Sequence, residues 1–125
     1  MIEFEQLEAG IYVYYWRGTV KMTDAQAAFE AFSEVHDGGP YAAIIDMREL
    51  KNLPRDFNAL RSTIKREVRA GLQGYVLVGA PRTARLIIKS VSVLAPTTYQ
   101  FADDRDTALQ MARALLPEVE TEATA

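Results

Sequence analysis

The chain has no cysteine and only one histidine among its 125 residues. Without cysteine there can be no disulfide, no thiol nucleophile and no thiolate metal site, and nothing indicates secretion. No apolar run approaches the roughly 18 residues that a membrane-spanning helix needs. The amino terminus also lacks the basic start and apolar core of a signal peptide. We therefore expect a cytoplasmic protein that holds no cofactor and no metal.

The length and the apolar content favour one domain. Apolar residues make up 49% of the chain, which is enough for a helix-covered sheet to bury a core without cross-links. Residues 118–125 are small, acidic and aperiodic, a composition typical of disorder. We predict an α/β domain over residues 1–117 and a disordered acidic tail over residues 118–125.

The apolar stretch at residues 40–46, PYAAIID, organises the predicted fold. A run this short and this apolar is typical of a strand that is covered on both faces, as in parallel or mixed sheets. The run ends at Asp46, and ligands of such sheets tend to bind just past the carboxyl ends of the strands. We therefore expect Asp46, Met47 and Arg48 at the rim of the sheet, with Asp56 following along the chain.

Hydrophobic periodicity and turn residues predict the other elements. In order, these are a hairpin at 2–7 and 11–17, helix 23–35, strand 41–46, helix 54–68, strand 75–78, helix 81–94, strand 97–101 and helix 103–116. The first helix is predicted to be capped by Thr23, and the last by Asp103. This order requires a mixed sheet of about five strands and about four helices, with right-handed crossovers between parallel strands.

Alternate residues of the second strand form two sets, and the sequence does not decide which one faces the core. The sets are Ile11, Val13 and Tyr15, and Tyr12, Tyr14 and Trp16. Both sets are large, so helices should cover one face while something else shields the other. The aromatic set has two interpretations, which are ordinary core packing and the wall of a ligand cleft.

The charge of the chain is segregated. Residues 48–89 carry ten cations and three anions, a net charge of +7, whereas the whole chain has a net charge of −3. Many of these cations fall in two helical rows, which are Arg61, Lys65 and Arg69, and Arg82, Arg85 and Lys89. Rows of like charge cost stability unless an anion faces them. They indicate either an anionic partner or an ordinary solvated surface.

Two further residue patterns carry structural expectations. The spacing of Phe57, Leu60, Ile64 and Val68 predicts that these four residues form the buried stripe of the second helix. His36 falls in the last turn of the first helix, where an exposed imidazole is favoured by the helix dipole. No acid–base partner is evident for it, so we assign no catalytic residue.

A hairpin that ends in Arg17-Gly18, then a capped helix, then YAAIIDM at residues 41–47 resemble the STAS domain, the fold of bacterial anti-sigma-factor antagonists, or SpoIIAA-like proteins. The resemblance covers nearly the whole chain and is strongest to a subgroup of small bacterial proteins without an assigned function. It implies a non-enzymatic module that binds a protein partner. It also implies a phosphorylated serine a few residues after the strand. Here the ungapped register instead places residues 54–57 at that site. Asp56 then has two interpretations, which are a mimic of the phosphate and an ordinary acidic residue in the first turn of a helix.

The sequence therefore leaves two leading hypotheses. The first is an interaction module that binds a protein, or a second copy of itself, through the strand rim and the basic helices. The alternative is the binding of a small amphiphile or lipid, as in the similar CRAL-TRIO domains, in an apolar pocket with a basic mouth. That pocket would be lined by Tyr14, Trp16 and Phe57. The sequence disfavours an enzyme and a nucleic-acid-binding protein, because it carries neither a catalytic constellation nor a recognised binding motif.

Overall fold

The computed structural model describes residues 2–94 and 97–117, with the side chains of 91–94 left undescribed. Its elements are β1 Ile2–Glu8, β2 Ile11–Thr19, α1 Met22–Val35, β3 Tyr41–Asn52, α2 Phe57–Arg69, β4 Leu72–Val78, α3 Arg82–Leu94, β5 Tyr99–Ala102 and α4 Arg105–Leu115. The predicted tail at 118–125 lies outside the described residues. All nine predicted elements are present in the predicted order.

The five strands form one mixed sheet in the order β1-β2-β3-β4-β5. β1 and β2 are antiparallel, and each later strand runs parallel to its neighbour. Helices α1, α2 and α3 cover one face of the sheet, and α4 covers the other. The predicted α/β class and the five-stranded mixed sheet are confirmed.

Both faces of β2 are buried. Tyr12, Tyr14 and Trp16 pack under α1, α2 and α3. Ile11 and Val13 pack under α4. The two large side-chain sets therefore serve two separate cores, which resolves the alternative that the sequence left open.

The central strand is longer than its apolar run. β3 does not end at Asp46, as predicted, but continues to Asn52 because it pairs with the second half of β2. β4 stops at Val78, opposite Asp46. Asp46 therefore lies level with the carboxyl end of β4 but in the middle of β3, and the polar residues beyond it belong to the strand.

Three predicted helix starts need correction. α1 begins at Met22 rather than after Thr23, and the carboxylate of Asp24 accepts a hydrogen bond from the backbone N–H of Lys21 at 2.9 Å. α2 begins at Phe57, beyond Pro54. α4 is capped by Asp104 instead of Asp103, with the Asp104 carboxylate accepting from the Thr107 N–H at 2.7 Å. In α2 and α4 the carboxylate of the N-cap residue accepts from an N–H of the first turn. In α1 the bond runs the other way, from the N–H of the N-cap residue Lys21 to the carboxylate of Asp24 in the first turn.

The buried face of α2 also differs from the predicted stripe. Phe57 and Val68 are 44% and 40% exposed, whereas Thr63 and Glu67 are buried. Glu67 faces the sheet because it finds hydrogen-bond partners there, and Thr63 can be buried beside it because its hydroxyl donates to the Ala59 carbonyl within the helix. A polar residue can replace an apolar one on a buried helix face when its hydrogen bonds are made there.

Candidate functional site

A carboxyl group and two tyrosines meet under α2. Glu67 is 8% exposed. Its Oε2 accepts a hydrogen bond from the Tyr75 hydroxyl at 2.5 Å. The Tyr41 hydroxyl lies 3.4 Å from Oε1 and from the Glu67 carbonyl. A helix residue and two strand residues thus form one buried polar cluster.

The turn between α2 and β4 brings these groups together. Gly71 has a φ of 116°, and a Cβ there would lie 2.5 Å from the Gly39 carbonyl oxygen. Only glycine fits such a conformation and such a close approach. The turn is therefore short, so that β4 returns beneath α2 and Tyr75 lies under Glu67, eight residues earlier in the chain.

Burial favours the neutral form of the cluster. Burial raises the pKa of Glu67 to about 7, and the hydrogen bonds from Tyr75 and Tyr41 only partly oppose that rise. Burial, together with the nearby Glu67 carboxyl, also raises the pKa of Tyr14, Tyr41 and Tyr75 above the ordinary tyrosine value. A carboxyl group and three phenols therefore meet, and among the described residues no cation bonds to the carboxyl group to compensate an anion.

Tyr14 is the unsatisfied member of the group. It is 6% exposed, and its hydroxyl oxygen is hidden from solvent with no hydrogen-bond partner among the described residues. A buried hydroxyl without a partner costs free energy, so native proteins rarely leave one unpaired. The Glu67 carboxyl is close enough to influence the Tyr14 pKa but accepts no hydrogen bond from it.

A cavity of about 80 Å³ lies beside the cluster, between the sheet and helices α1, α2 and α3. Its walls are mainly apolar side chains from strands and helices alike. They include Ile2, Trp16, Ala28, Phe29, Ile45, Met47, Leu53, Leu60, Ile64, Leu77, Ile87 and Ile88. The polar groups on its lining come from Tyr14, Thr63, Glu67, Tyr75, Thr97 and Tyr99. The cavity is thus mainly apolar, with a few polar residues on its lining.

The structure changes the predicted ligand pocket. Tyr14 and Trp16 line the cavity, but Phe57 does not and is instead exposed at the start of α2. No lysine or arginine is among the lining residues, so the expected basic mouth is absent from the described part of the chain. The α2 cations point away because the sheet-facing positions are taken by Leu60, Ile64 and Glu67.

The predicted rim residues are engaged within the protein. Asp46 is buried and receives two hydrogen bonds from the Arg48 guanidinium, at 3.0 and 2.6 Å. Burial disfavours the ionised form of Asp46, but the bonds from Arg48 outweigh it and lower its pKa. Met47 is buried in the core rather than at a rim. Asp56 caps α2, since its carboxylate accepts from the Ala59 N–H at 3.0 Å.

The two predicted basic rows lie on neighbouring helices, because α2 packs beside α3. Lys65, Arg69, Arg82 and Lys89 are exposed, and Arg61 is half-buried. These five residues are called the basic face. None of them forms an ion pair within residues 2–94 and 97–117.

Arg85 belongs to the same predicted row but is held against the protein. Its guanidinium donates to the Ala80 carbonyl at 3.1 Å and lies 4.9 Å from the centre of the Phe101 ring. Such stacking covers the aromatic face and fixes the arginine. We therefore leave Arg85 out of the basic face.

His36 is not the exposed imidazole that its position predicts. It stacks on Phe32 with ring centres 4.7 Å apart and meets the edge of Tyr41 at the same distance. Its Nε2 donates to the Gly39 carbonyl at 2.8 Å, which leaves Nδ1 to accept from the Tyr12 hydroxyl at 3.4 Å. The imidazole is thus part of the aromatic packing beside the cluster.

Sequence reasoning missed Glu67, Tyr41 and Tyr75 as a site. One signal was available, since Glu67 follows Leu60 and Ile64 at helical spacing and so falls on the buried face. A carboxylate on such a face needs a partner, and tyrosines on adjacent strands are the natural donors.

No family model and no curated protein matches the sequence. Solved structures do match. One is an uncharacterised protein of the DUF3478 family from Shewanella loihica, described as having a SpoIIAA-like fold, with 17% identity and a TM-score of 0.63. The alignment covers 90% of this chain and 92% of that one. This chain has the SpoIIAA-like fold.

A second match is the anti-sigma factor antagonist SpoIIAA in its unphosphorylated form. The identity is 11% and the TM-score 0.59, with 90% of this chain and 98% of that chain covered. At such identities the likeness concerns the SpoIIAA-like fold alone, and function has to be argued from this chain's own residues.

The described residues contain neither a membrane-spanning helix nor a group of metal-ligating side chains. In this part of the chain, no helix combines the length and the apolar character needed to span a bilayer. Within the same ranges, no three histidine, cysteine or acidic side chains are grouped as metal ligands would be.

Proposed function

We propose that the protein is a non-catalytic interaction module whose basic face binds the acidic surface of a protein partner. The observation that carries the proposal is the uncompensated charge of α2 and α3. Glu67 is the only acidic residue of these two helices, and it is turned inward to the tyrosines. The exposed cations of the basic face therefore meet no opposite charge from their own helices.

Some cations elsewhere on the molecule differ from the basic face because they are paired with carboxylates. Near the first hairpin, three arginines are each paired with a carboxylate. The pairs are Arg17–Glu3 at 2.6 Å, Arg48–Asp46 at 2.6 Å and Arg113–Glu8 at 2.7 Å. The fold thus pairs these three arginines with carboxylates, whereas among the described residues no carboxylate pairs with a cation of the basic face. Unpaired charges of one sign steer an oppositely charged partner to the surface.

The same helices expose apolar side chains among the cations. Leu86 is 61% exposed on α3, and Phe57 and Val68 are exposed on α2. A surface that binds only small ions has no use for such residues, whereas protein interfaces combine apolar contacts with a charged rim. The partner is therefore an acidic protein surface that also offers apolar contacts. The likeness to an anti-sigma factor antagonist agrees with this class of function.

The test reverses two charges of the basic face. In the Lys65→Glu/Lys89→Glu variant, repulsion should replace steering, and the affinity for the partner should fall by about tenfold or more at low salt. Affinity purification from the host, cross-linking to locate the contact and titration at low and high salt would measure the effect. Sedimentation under the same conditions would show whether the partner is a second copy of the chain.

A matched control changes the same charge elsewhere. Lys21→Glu/Lys51→Glu alters the net charge equally at exposed positions outside α2 and α3, and it should keep the partner. The proposal is wrong if both double variants bind equally well, or if the cross-links avoid α2 and α3.

A further inference from the structure

The helices on one side of the sheet carry opposite charges on their outer surfaces. α2 and α3 present the basic face, and α1 packs beside α2 in the same layer. The residues of α1 include three acids and no lysine or arginine. The charge that is segregated along the chain is therefore also segregated in space, with anions on one helix and exposed cations on the next two.

Two of the α1 acids point to solvent. Glu30 and Glu34 are exposed, lie about one turn apart and fall opposite the buried stripe of the helix. Among the described residues, neither of them forms an ion pair. The neighbouring Ala27 and Ala31 are also exposed. These four residues are called the acidic face, and its short alanine side chains leave room for the side chains of another helix to approach.

The acidic face has the properties that the basic face requires of a partner. Its two glutamates are spaced four residues apart, and so are Lys65 and Arg69 on α2, so opposite charges can meet at matching intervals. Apolar contacts are available on both sides. Val35 is 65% exposed at the end of α1, and Leu86 is 61% exposed on α3.

The acidic face and the basic face cannot meet within one molecule, because they lie side by side and both point away from the sheet. A second copy that is turned over by a two-fold rotation can bring them together. Its α1 then lies on the basic face of the first copy, and its own basic face lies on α1 of the first copy. The two contacts are identical, so the assembly closes as a dimer and does not grow into a filament.

We propose that the chain forms a two-fold dimer in which the acidic face of each copy binds the basic face of the other. The inference rests on the proposed function and names its acidic partner as a second copy of the chain. Because the paired charges lie at the protein surface, salt should weaken the dimer by screening them.

The test reverses the charge of one face at a time. Sedimentation of the wild type should show a dimer at low salt, with a dissociation constant that rises about tenfold or more at high salt. Glu30→Lys/Glu34→Lys leaves two cationic faces, and Lys65→Glu/Arg69→Glu/Lys89→Glu leaves two anionic ones. Each variant alone should be monomeric at concentrations where the wild type is a dimer, because like charges then oppose each other.

Mixing the two variants provides the decisive measurement. Each contact between one variant and the other again joins opposite charges, so the mixture should form a dimer with one copy of each, which native mass spectrometry identifies by mass. Asp103→Lys/Asp106→Lys is the matched control for the glutamate variant. It makes the same change in charge at exposed positions around the start of α4, on the opposite side of the sheet, and should remain a dimer.

The inference is wrong if the wild type stays monomeric at low salt, if either variant alone still forms a dimer, or if mixing the two variants restores none. If a variant failed to fold, carbodiimide cross-linking of mixed labelled and unlabelled wild type would decide instead. Links between copies should join Lys65 or Lys89 to Glu30 or Glu34, and their absence would overturn the dimer.

The proposed function can fail or stand separately. Glu30→Lys/Glu34→Lys keeps the basic face intact, so it should still capture an acidic host protein if the partner is a different chain. A monomeric wild type that captures a host protein through α2 and α3 would overturn the dimer and leave the proposed function in place. A wild type that neither forms a dimer nor captures a protein through the basic face would overturn both.

Discussion

The two faces of the sheet carry different buried side chains. Under α4 many of the buried apolar side chains are small. They are Ile11, Val13, Ala42, Ile44, Val76, Val78, Ala102, Ala108 and Ala112. The buried carboxylate of Asp46, which lies on the same face of β3 as Ile44, is paired with Arg48. Under α1, α2 and α3 the core contains tyrosines, a tryptophan, the buried Glu67 and a cavity.

The difference shows which face serves stability and which can serve binding. Small residues let α4 approach the sheet closely, and a dense apolar layer is what core packing alone requires. The other face keeps a carboxyl group, an unpaired hydroxyl and empty space, each of which costs stability. Features that weaken a fold mark functional sites more often than features that strengthen it.

The largest expected effect comes from truncating one buried side chain on each face of the sheet and comparing the two losses of stability. Ile44 is fully buried under α4, so Ile44→Ala should lower the free energy of unfolding by about 3–4 kcal/mol. Ile45→Ala should cost about 1 kcal/mol less, because Ile45 borders the existing cavity and has fewer contacts to lose. Chemical denaturation of both variants would measure the two costs, and equal costs would mean that the two faces are equally well packed.

The buried Glu67 carboxyl group predicts a pH dependence of stability that arises on the α1–α3 face. The pKa of Glu67 is about 7 in the folded chain against a reference value of 4.5, so the folded state binds this proton more tightly. The stabilisation is therefore fully present below pH 4.5 and is lost as the pH rises through 7, a loss of about 3 kcal/mol. Tyr14, Tyr41 and Tyr75 face this group with raised pKa values and stay neutral throughout.

Glu67→Gln provides the reference for that measurement. Denaturation of both proteins from pH 4.5 to 8.5 should give a difference in stability that changes steadily between those limits. Other groups whose pKa is lowered, such as Asp46 and Asp104, titrate in both proteins and cancel in the difference. If the two curves stay parallel, the Glu67 carboxyl is not held neutral by burial.

The fold could be predicted from local sequence patterns, because each helix and strand here follows its own hydrophobic period. The apolar run at 41–46 and the stripes of the helices depend on neighbours in sequence, and pairing then follows from short connections. The errors occurred where a distant contact decided the structure. β3 extends to Asn52 because β2 is beside it, and α2 rotates because Glu67 meets Tyr75.

The site was less predictable than the fold for the same reason. Tyr14 and Trp16 could be named as pocket residues, since a dense aromatic strand presents one aromatic face. The prediction that Phe57 lines the pocket was wrong, because the buried stripe of α2 was extended by one turn to include it. Tyr14, Tyr41 and Glu67 come from three different elements. Their meeting depends on how β2, β3 and α2 pack and on the turn at Gly71, which no local sequence pattern predicts.

The smallest predicted effect tests the unpaired hydroxyl directly. Tyr14→Phe removes a buried oxygen that has no hydrogen-bond partner among the described residues, so it should raise the free energy of unfolding by about 1 kcal/mol. Tyr12→Phe removes a hydroxyl from the same strand face, but that hydroxyl bonds His36, so its loss should be neutral or should cost up to about 1 kcal/mol. Chemical denaturation would measure both. A loss of stability in Tyr14→Phe as large as in Tyr12→Phe would mean that the Tyr14 hydroxyl has a hydrogen-bond partner in the folded protein.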